Sequence, residues 1–218
     1  MLKILSIRTL TIELGKRENY RMSKNNRHGQ SEILSAGDCD RIRKAIISRH
    51  HLLLWDIARY TGERWGAIIQ LKVSDVYADA VKSVPNSEIT FRKSTRKASP
   101  TGKQETRQCP IHPELDRLLR AYKPGPSGYL FGSGFGGAGH ISFSACDKWL
   151  RAAVVRAGLG HRGISSHSTR RSFITVLYYD RGVDIKTLQA ITGHSDLKSL
   201  QRYIEVSEDR KAAAIALL

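Results

Sequence analysis

The stretch His167-Ser-Thr-Arg-Arg-Ser-Phe-Ile-Thr175, continued by Gly182-Val-Asp-Ile-Lys-Thr-Leu-Gln-Ala-Ile-Thr-Gly-His194 and then by Tyr203, decides how this chain reads. His167 and Arg170 are three residues apart, so a helix carries both on one face. Gly193 stands where a helix should stop. Tyr203 lies nine residues beyond His194. The periodicity of apolar residues predicts three helices here, over 167–181, 185–192 and 197–204. A last helical tail over 208–218 shows an Ala/Ile/Leu stripe.

Working back from this stretch, 142–158 is amphipathic, with Phe143, Trp149, Leu150, Val154 and Val155 as candidate core residues. Residues 123–140 are rich in glycine and proline and read as loop. No Gly-Lys-Ser/Thr opens a helix there, which excludes a phosphate-binding P-loop. A helix over 112–122 starts at Pro113. Alternation puts Ile89 and Phe91 on one face of a strand over 87–92, with a partner over 106–111. Between them 93–105 forms a basic hairpin tip. Upstream, a short helix covers 64–71, Thr61-Gly62 breaks the chain, and a buried helix covers 52–60. Ser35 caps a helix over 38–49, with Ile42, Ala45 and Ile46 at helical spacing. The fold class is mainly α with a small antiparallel β-sheet (α+β).

The 218 residues suit one domain with extensions, and 40 % hydrophobic residues suffice for a core. Thirty-six lysines and arginines face 20 acidic residues, a formal net charge of +16. That balance points to a polyanion, above all nucleic acid. Residues 1–30 carry seven basic residues against Glu13 and Glu18 and read as a basic arm. Cys39, Cys109 and Cys146 are odd in number and widely spaced, which excludes a disulfide framework and suits a reducing compartment. No apolar run is long enough to span a bilayer, and 1–14 is broken by charges, unlike a signal peptide. These features predict a cytoplasmic, nucleoid-associated protein without membrane contact. Cys109 and His112 lack a second pair at ligand spacing, so no metal is expected.

Taken together, the boxes resemble those of the tyrosine recombinase (phage integrase) family. His167-x-x-Arg170, Gly193-His194 and Tyr203 match in order and spacing. Thr61-Gly-Glu-Arg64, followed by Leu71-Lys-Val-Ser-Asp75, is similar to the family's upstream arginine box. The resemblance covers 31–205 and implies the family's catalytic-domain fold. It further implies a site-specific recombinase or integrase that cleaves and rejoins double-stranded DNA through a covalent 3′-phosphotyrosyl bond. That bond retains the energy of the broken link, so no ATP is required for rejoining; by the same resemblance no metal or other cofactor is expected. The implied assembly is a homo-oligomer on DNA, a dimer rising to a tetramer in synapsis, with the tail of 206–218 packing on a neighbouring subunit.

The chemistry suits these residue types. Phosphodiester attack builds charge on the non-bridging oxygens, and arginine forks stay charged and bond two oxygens at once. Arg64 and Arg170 would form that clamp. Tyr203 would be the nucleophile; a phenol ionises only near pH ~10, so it needs a base or a cationic field. The resemblance makes His167 the general acid/base. It has His194 bond the scissile phosphate and hold the site together. It also assigns protonation of the leaving 5′-oxygen to a hairpin lysine. Among Lys93, Lys97 and Lys103 the choice falls on Lys97, just past the Ile89/Phe91 strand.

Three positions depart from the family pattern. Ala67 stands where an acidic residue is usual, Arg171 where a histidine is common, and Leu200 where a threonine is frequent. Residues 1–30 are also too short for the separate clamping domain of most relatives. Two other readings follow: strand relaxation as in type IB topoisomerases, and a DNA-binding accessory factor or decayed integrase that does not cut.

Overall fold

A computed structural model describes residues 30–96, 105–133, 139–194, 196–204, 211–212 and 215–216. The basic arm, Lys97, Lys103 and most of the C-terminal tail therefore lie outside the described residues.

Eight α-helices and four short strands are described. Helix α1 (Ala36–Ala45) starts at Ser35, whose side chain accepts from the Asp38 N–H while Asp38 accepts from the Ser35 N–H. This reciprocal box satisfies two donors that the first turn would otherwise leave unpaired. The helix ends four residues before the predicted boundary. Ile46 is extended, and Arg156, far away in sequence, donates to the Ala45 carbonyl at 2.9 Å. Helix α2 (Arg49–Thr61) then begins earlier than its apolar run suggests and contributes Leu53, Leu54, Trp55, Ile57 and Ala58 to the core. The two helices are tied by Arg43, whose Nε and Nη2 reach the two carboxylate oxygens of Asp56 at 2.8 and 2.9 Å. Helix α3 (Trp65–Ile68) follows the break at Gly62.

The β structure is two separate two-stranded antiparallel sheets, not one. Strands β1 (Tyr77–Asp79) and β2 (Val84–Pro85) form a small hairpin that the sequence pattern does not reveal. Strands β3 (Glu88–Phe91) and β4 (Arg107–Pro110) pair as expected, with Ile89 opposite Cys109 and Phe91 opposite Arg107. Ile89 and Phe91 are fully buried, as their alternation requires.

Helix α4 (Pro113–Ala121) begins at the proline. Helix α5 (Phe143–Arg156) buries Leu150 and Val154, but Val155 is 66 % exposed and Phe143 46 % exposed, so neither belongs to the core. Val155 follows directly on Val154 in a helix, and consecutive residues cannot face the same way. Helix α6 (Ser166–Thr175) passes into a π-helical turn over Val176–Asp180. Helices α7 (Ile185–Thr192) and α8 (Leu197–Gln201) complete the order, capped by Asp184 and Asp196.

Two apolar clusters result. The larger gathers α1 to α5 and the strands around Trp55, Trp65, Phe91 and Phe131. The smaller has three fully buried members, Ile174, Leu188 and Leu200, with Phe173 and Tyr203 packed against them. The architecture is helical with small antiparallel sheets, and no helix among the described residues is long and apolar enough to cross a membrane.

Candidate active site

The site is built where α2 stops. Gly62 adopts φ +60°, a left-handed conformation that favours glycine, and a Cβ there would overlap the Phe173 ring. The turn brings α6 against α2 and leaves the Gly62 carbonyl open to Arg170 Nη1 at 2.9 Å. It also sends Glu63 inward and Arg64 to the start of α3. Trp65 Nε1 donates to Thr169 Oγ1 at 3.1 Å, fixing α3 to α6.

Ser165 caps α6, with its hydroxyl accepting from the His167 N–H at 3.3 Å and its N–H donating to Ser168 Oγ at 3.1 Å. His167, in the first turn, is exposed. One turn later Arg170 is 1 % exposed. Its Nη2 donates to the Thr192 carbonyl at 3.0 Å and lies 3.1 Å from His194 Nε2. Burial and then the neighbouring Arg64 cation pull the Arg170 guanidinium down to about 10.

Helix α7 ends at Gly193, again left-handed at φ +62°, where a Cβ would run into the Arg96 guanidinium. His194 follows, 7 % exposed. The Thr192 hydroxyl donates to the Leu188 carbonyl at 2.7 Å and sits 2.6 Å from His194 Nδ1. A hydroxyl already donating elsewhere must accept here, which puts the imidazole proton on Nδ1 and leaves Nε2 to accept from Arg170. Burial, reinforced by the Arg170 and Arg64 charges, pushes His194 down to about 3. The Tyr203 ring lies with its centroid 5.7 Å from that of His194, in the turn that closes α8.

Arg64, His167 and Arg170 line one open cleft of about 270 Å³, together with Glu63, Phe143, Thr95 and Arg96. His194 adjoins it through Arg170, and Tyr203 packs beside His194. Five of the six residues singled out in the sequence are thus brought together. The sixth, Lys97, lies outside the described residues, as does Lys103. Lys93 is described and exposed at the first position of a 3₁₀ turn. Among the described residues of this connection Thr95 and Arg96 reach the cleft, and Arg96 donates to the carbonyls of Glu105 at 2.8 Å and Gly193 at 3.4 Å.

Sequence reading missed three groups: Glu63 and Arg96, which line the cleft, and Arg107 beside Glu63. Glu63 sits beside the box arginine in Thr61-Gly-Glu-Arg64, a charged residue between two buried helices, and that was the available signal. The departures also find places. Arg171 donates to the Ser31 carbonyl at 3.0 Å, and Leu200 is a member of the smaller core. Among the described residues no group of three or more His, Cys, Asp or Glu is placed to hold a metal ion.

This arrangement has counterparts in known proteins. The fold is that of tyrosine recombinase catalytic domains. The structure of XerA recombinase superposes with a TM-score of 0.62 at 22 % identity, over 86 % of this chain and 66 % of that one. The catalytic domain of bacteriophage HP1 integrase gives 0.57 at 22 % identity, over 86 % of this chain and 95 % of that one. Among curated sequences, tyrosine recombinase XerD of Rhizobium meliloti (strain 1021) is 32 % identical over 110 residues, 48 % of this chain and 35 % of that protein. A tyrosine recombinase of Thermosipho africanus (strain TCF52B) is 27 % identical over 117 residues, 53 % of this chain and 40 % of that protein. These matches take in 35 % and 40 % of the two relatives' own lengths. The sequence profile of the phage integrase family matches residues 32–210, and the chain belongs to that family.

Proposed function

We propose that this chain is the catalytic unit, over 31–205, of a site-specific recombinase that cuts and rejoins DNA strands. One observation carries the reading: the two arginines and His167 line a single cleft, and the Tyr203 ring lies 5.7 Å from that of His194, which contacts Arg170. In the cleavage step Tyr203 Oη bonds to the phosphorus and the bond from phosphorus to the 5′-oxygen breaks. The phenolic proton passes to His167, an exposed imidazole at the mouth. The leaving oxygen takes a proton from the hairpin, with Lys97 the residue assigned by resemblance. Arg64 and Arg170 hold the non-bridging oxygens as charge develops. Rejoining is the reverse, with the 5′-hydroxyl attacking the phosphotyrosine, and consumes no nucleotide. Arg170 is well prepared for this work, because its bonds to two carbonyls fix it before any substrate arrives.

XerH recombinase has been solved bound to its difH substrate in a pre-cleavage complex, with a TM-score of 0.60 to this chain at 20 % identity. By analogy the partner here is duplex DNA, met by two copies of the chain per site and four in a synapse. The decisive experiment uses nicked suicide duplexes drawn from the DNA flanking the gene, with a denaturing gel to detect a covalent adduct. Wild type is expected to form one and Tyr203→Phe to form none. DNA binding without any adduct would replace this reading with that of a non-cutting accessory factor. An adduct without intermolecular strand exchange would favour relaxation.

A further inference from the structure

At the cleft wall three guanidinium groups converge on one carboxylate. Glu63 is 1 % exposed. Its Oε2 accepts from Arg107 Nη1 at 2.9 Å and lies 3.4 Å from Arg96 Nε. Its Oε1 accepts from the Arg64 N–H at 2.8 Å and lies 3.8 Å from Arg170 Nη1. Burial alone would raise a carboxyl's pKa, but the Arg107 and Arg170 charges outweigh it and hold Glu63 below the usual carboxylate range. It is therefore an anion at neutral pH.

The three arginines are not equivalent. Arg107 comes from β4 and does not line the cleft. It is held in addition by the Thr61 carbonyl at 3.0 Å and by Cys109 Sγ at 3.4 Å, and it packs over the Phe91 ring. Arg96 and Arg170 both line the cleft. Glu63 thus joins a cation fixed in the sheet to two cations that face the candidate phosphate position. Burying three such groups without an anion would cost several kcal/mol per ion. Their mutual repulsion would also drive Arg96 and Arg170 apart. Arg170 in turn fixes His194. Ala67, where the resemblance leads one to look for a carboxylate, supplies none, and the chain carries its buried acid four residues earlier.

We propose that Glu63 is a positioning residue whose charge, anchored by Arg107, holds Arg96 and Arg170 together at the cleft. This rests on the cleft being the phosphodiester site. The test compares Glu63→Gln and Glu63→Asp on the suicide duplexes, scoring DNA affinity and the single-turnover rate of adduct formation separately. Gln keeps the size and loses the charge; Asp keeps the charge and loses one methylene. Glu63→Gln is expected to slow cleavage by about tenfold or more while the Kd changes less than about threefold, and Glu63→Asp to retain more activity than Gln. If Glu63→Gln does not fold, Glu63→Gln/Arg107→Met, which removes one charge of each sign, takes its place with the same expected loss. Cleavage within about twofold of wild type, or Gln as active as Asp, overturns the assignment and leaves the cleavage reading standing. A wild type that forms no Tyr203-dependent adduct overturns both.

Discussion

His194 shows how strongly one residue's surroundings can set its chemistry. Burial and the Arg170 and Arg64 cations keep its imidazole neutral to about pH 3, against an ordinary value of 6.5. As pH falls below 6.5 the unfolded chain takes up a proton that the folded chain refuses. Stability must therefore fall with pH between those two values, by about 1.4 kcal/mol per unit at full slope. Burial also lowers His50 and His51, which add to the same trend. Denaturant melts between pH 6 and pH 4 should show His194→Asn with a slope shallower by about 1 kcal/mol per pH unit. An unchanged slope would mean that His194 is protonated in the fold. At this scale Arg64, His167, Arg170, His194 and Tyr203 were legible because their identity and spacing are local facts. Glu63 and Arg107 were not, since a buried ion pair between a helix break and a strand exists only after the chain has closed on itself.

Among the elements, beginnings were easier to read than endings. Ser35 and Pro113 announce their helices through chemistry carried within four residues. At the end of α1 Arg156 donates to the Ala45 carbonyl from far along the chain, and nothing near Ala45 announces that bond. The β1–β2 hairpin has too few residues to show a period, and Ser83 adopts φ 54° without a glycine to mark the turn. The α1–α2 pair offers a measurable clamp. Asp56 is buried, but the side chain of its partner Arg43 is 32 % exposed and can recover water. Asp56→Ala is therefore expected to cost about 1–3 kcal/mol, below the about 3–5 kcal/mol typical of a fully buried pair. Chemical denaturation of the variant measures it, and a loss under 0.5 kcal/mol would show that packing alone joins the two helices.

For the molecule as a whole, the net charge of +16 sets the terms on which it meets a polyanion. Part of the arginine is spent internally, because Arg107 and Arg170 are sequestered around Glu63. The remaining surface cations would displace counterions from a duplex. If they touch six or more phosphates, affinity should fall by on the order of 10³ or more between 50 and 200 mM salt. Fluorescence anisotropy on a short labelled duplex would read this directly. A flat response would mean that phosphate contacts do not dominate the interface. The fold class was legible from periodicity and from the resemblance together. The split into two small sheets was not, because the choice between pairing and isolation is made in three dimensions.

The division of the apolar interior has a dynamic consequence. Ile174, Leu188 and Leu200 form a cluster of three buried side chains, apart from the much larger core of α1 to α5. With so few buried apolar contacts holding it, the segment carrying the tyrosine is expected to open at a lower free energy than the scaffold. Native-state hydrogen exchange should find the amides of α7 and α8 released at a lower free energy than those of α2 and α5. Tyr203 would then be withdrawn and presented again without the protein unfolding. Uniform protection across all four helices would instead make the tyrosine as immovable as the core.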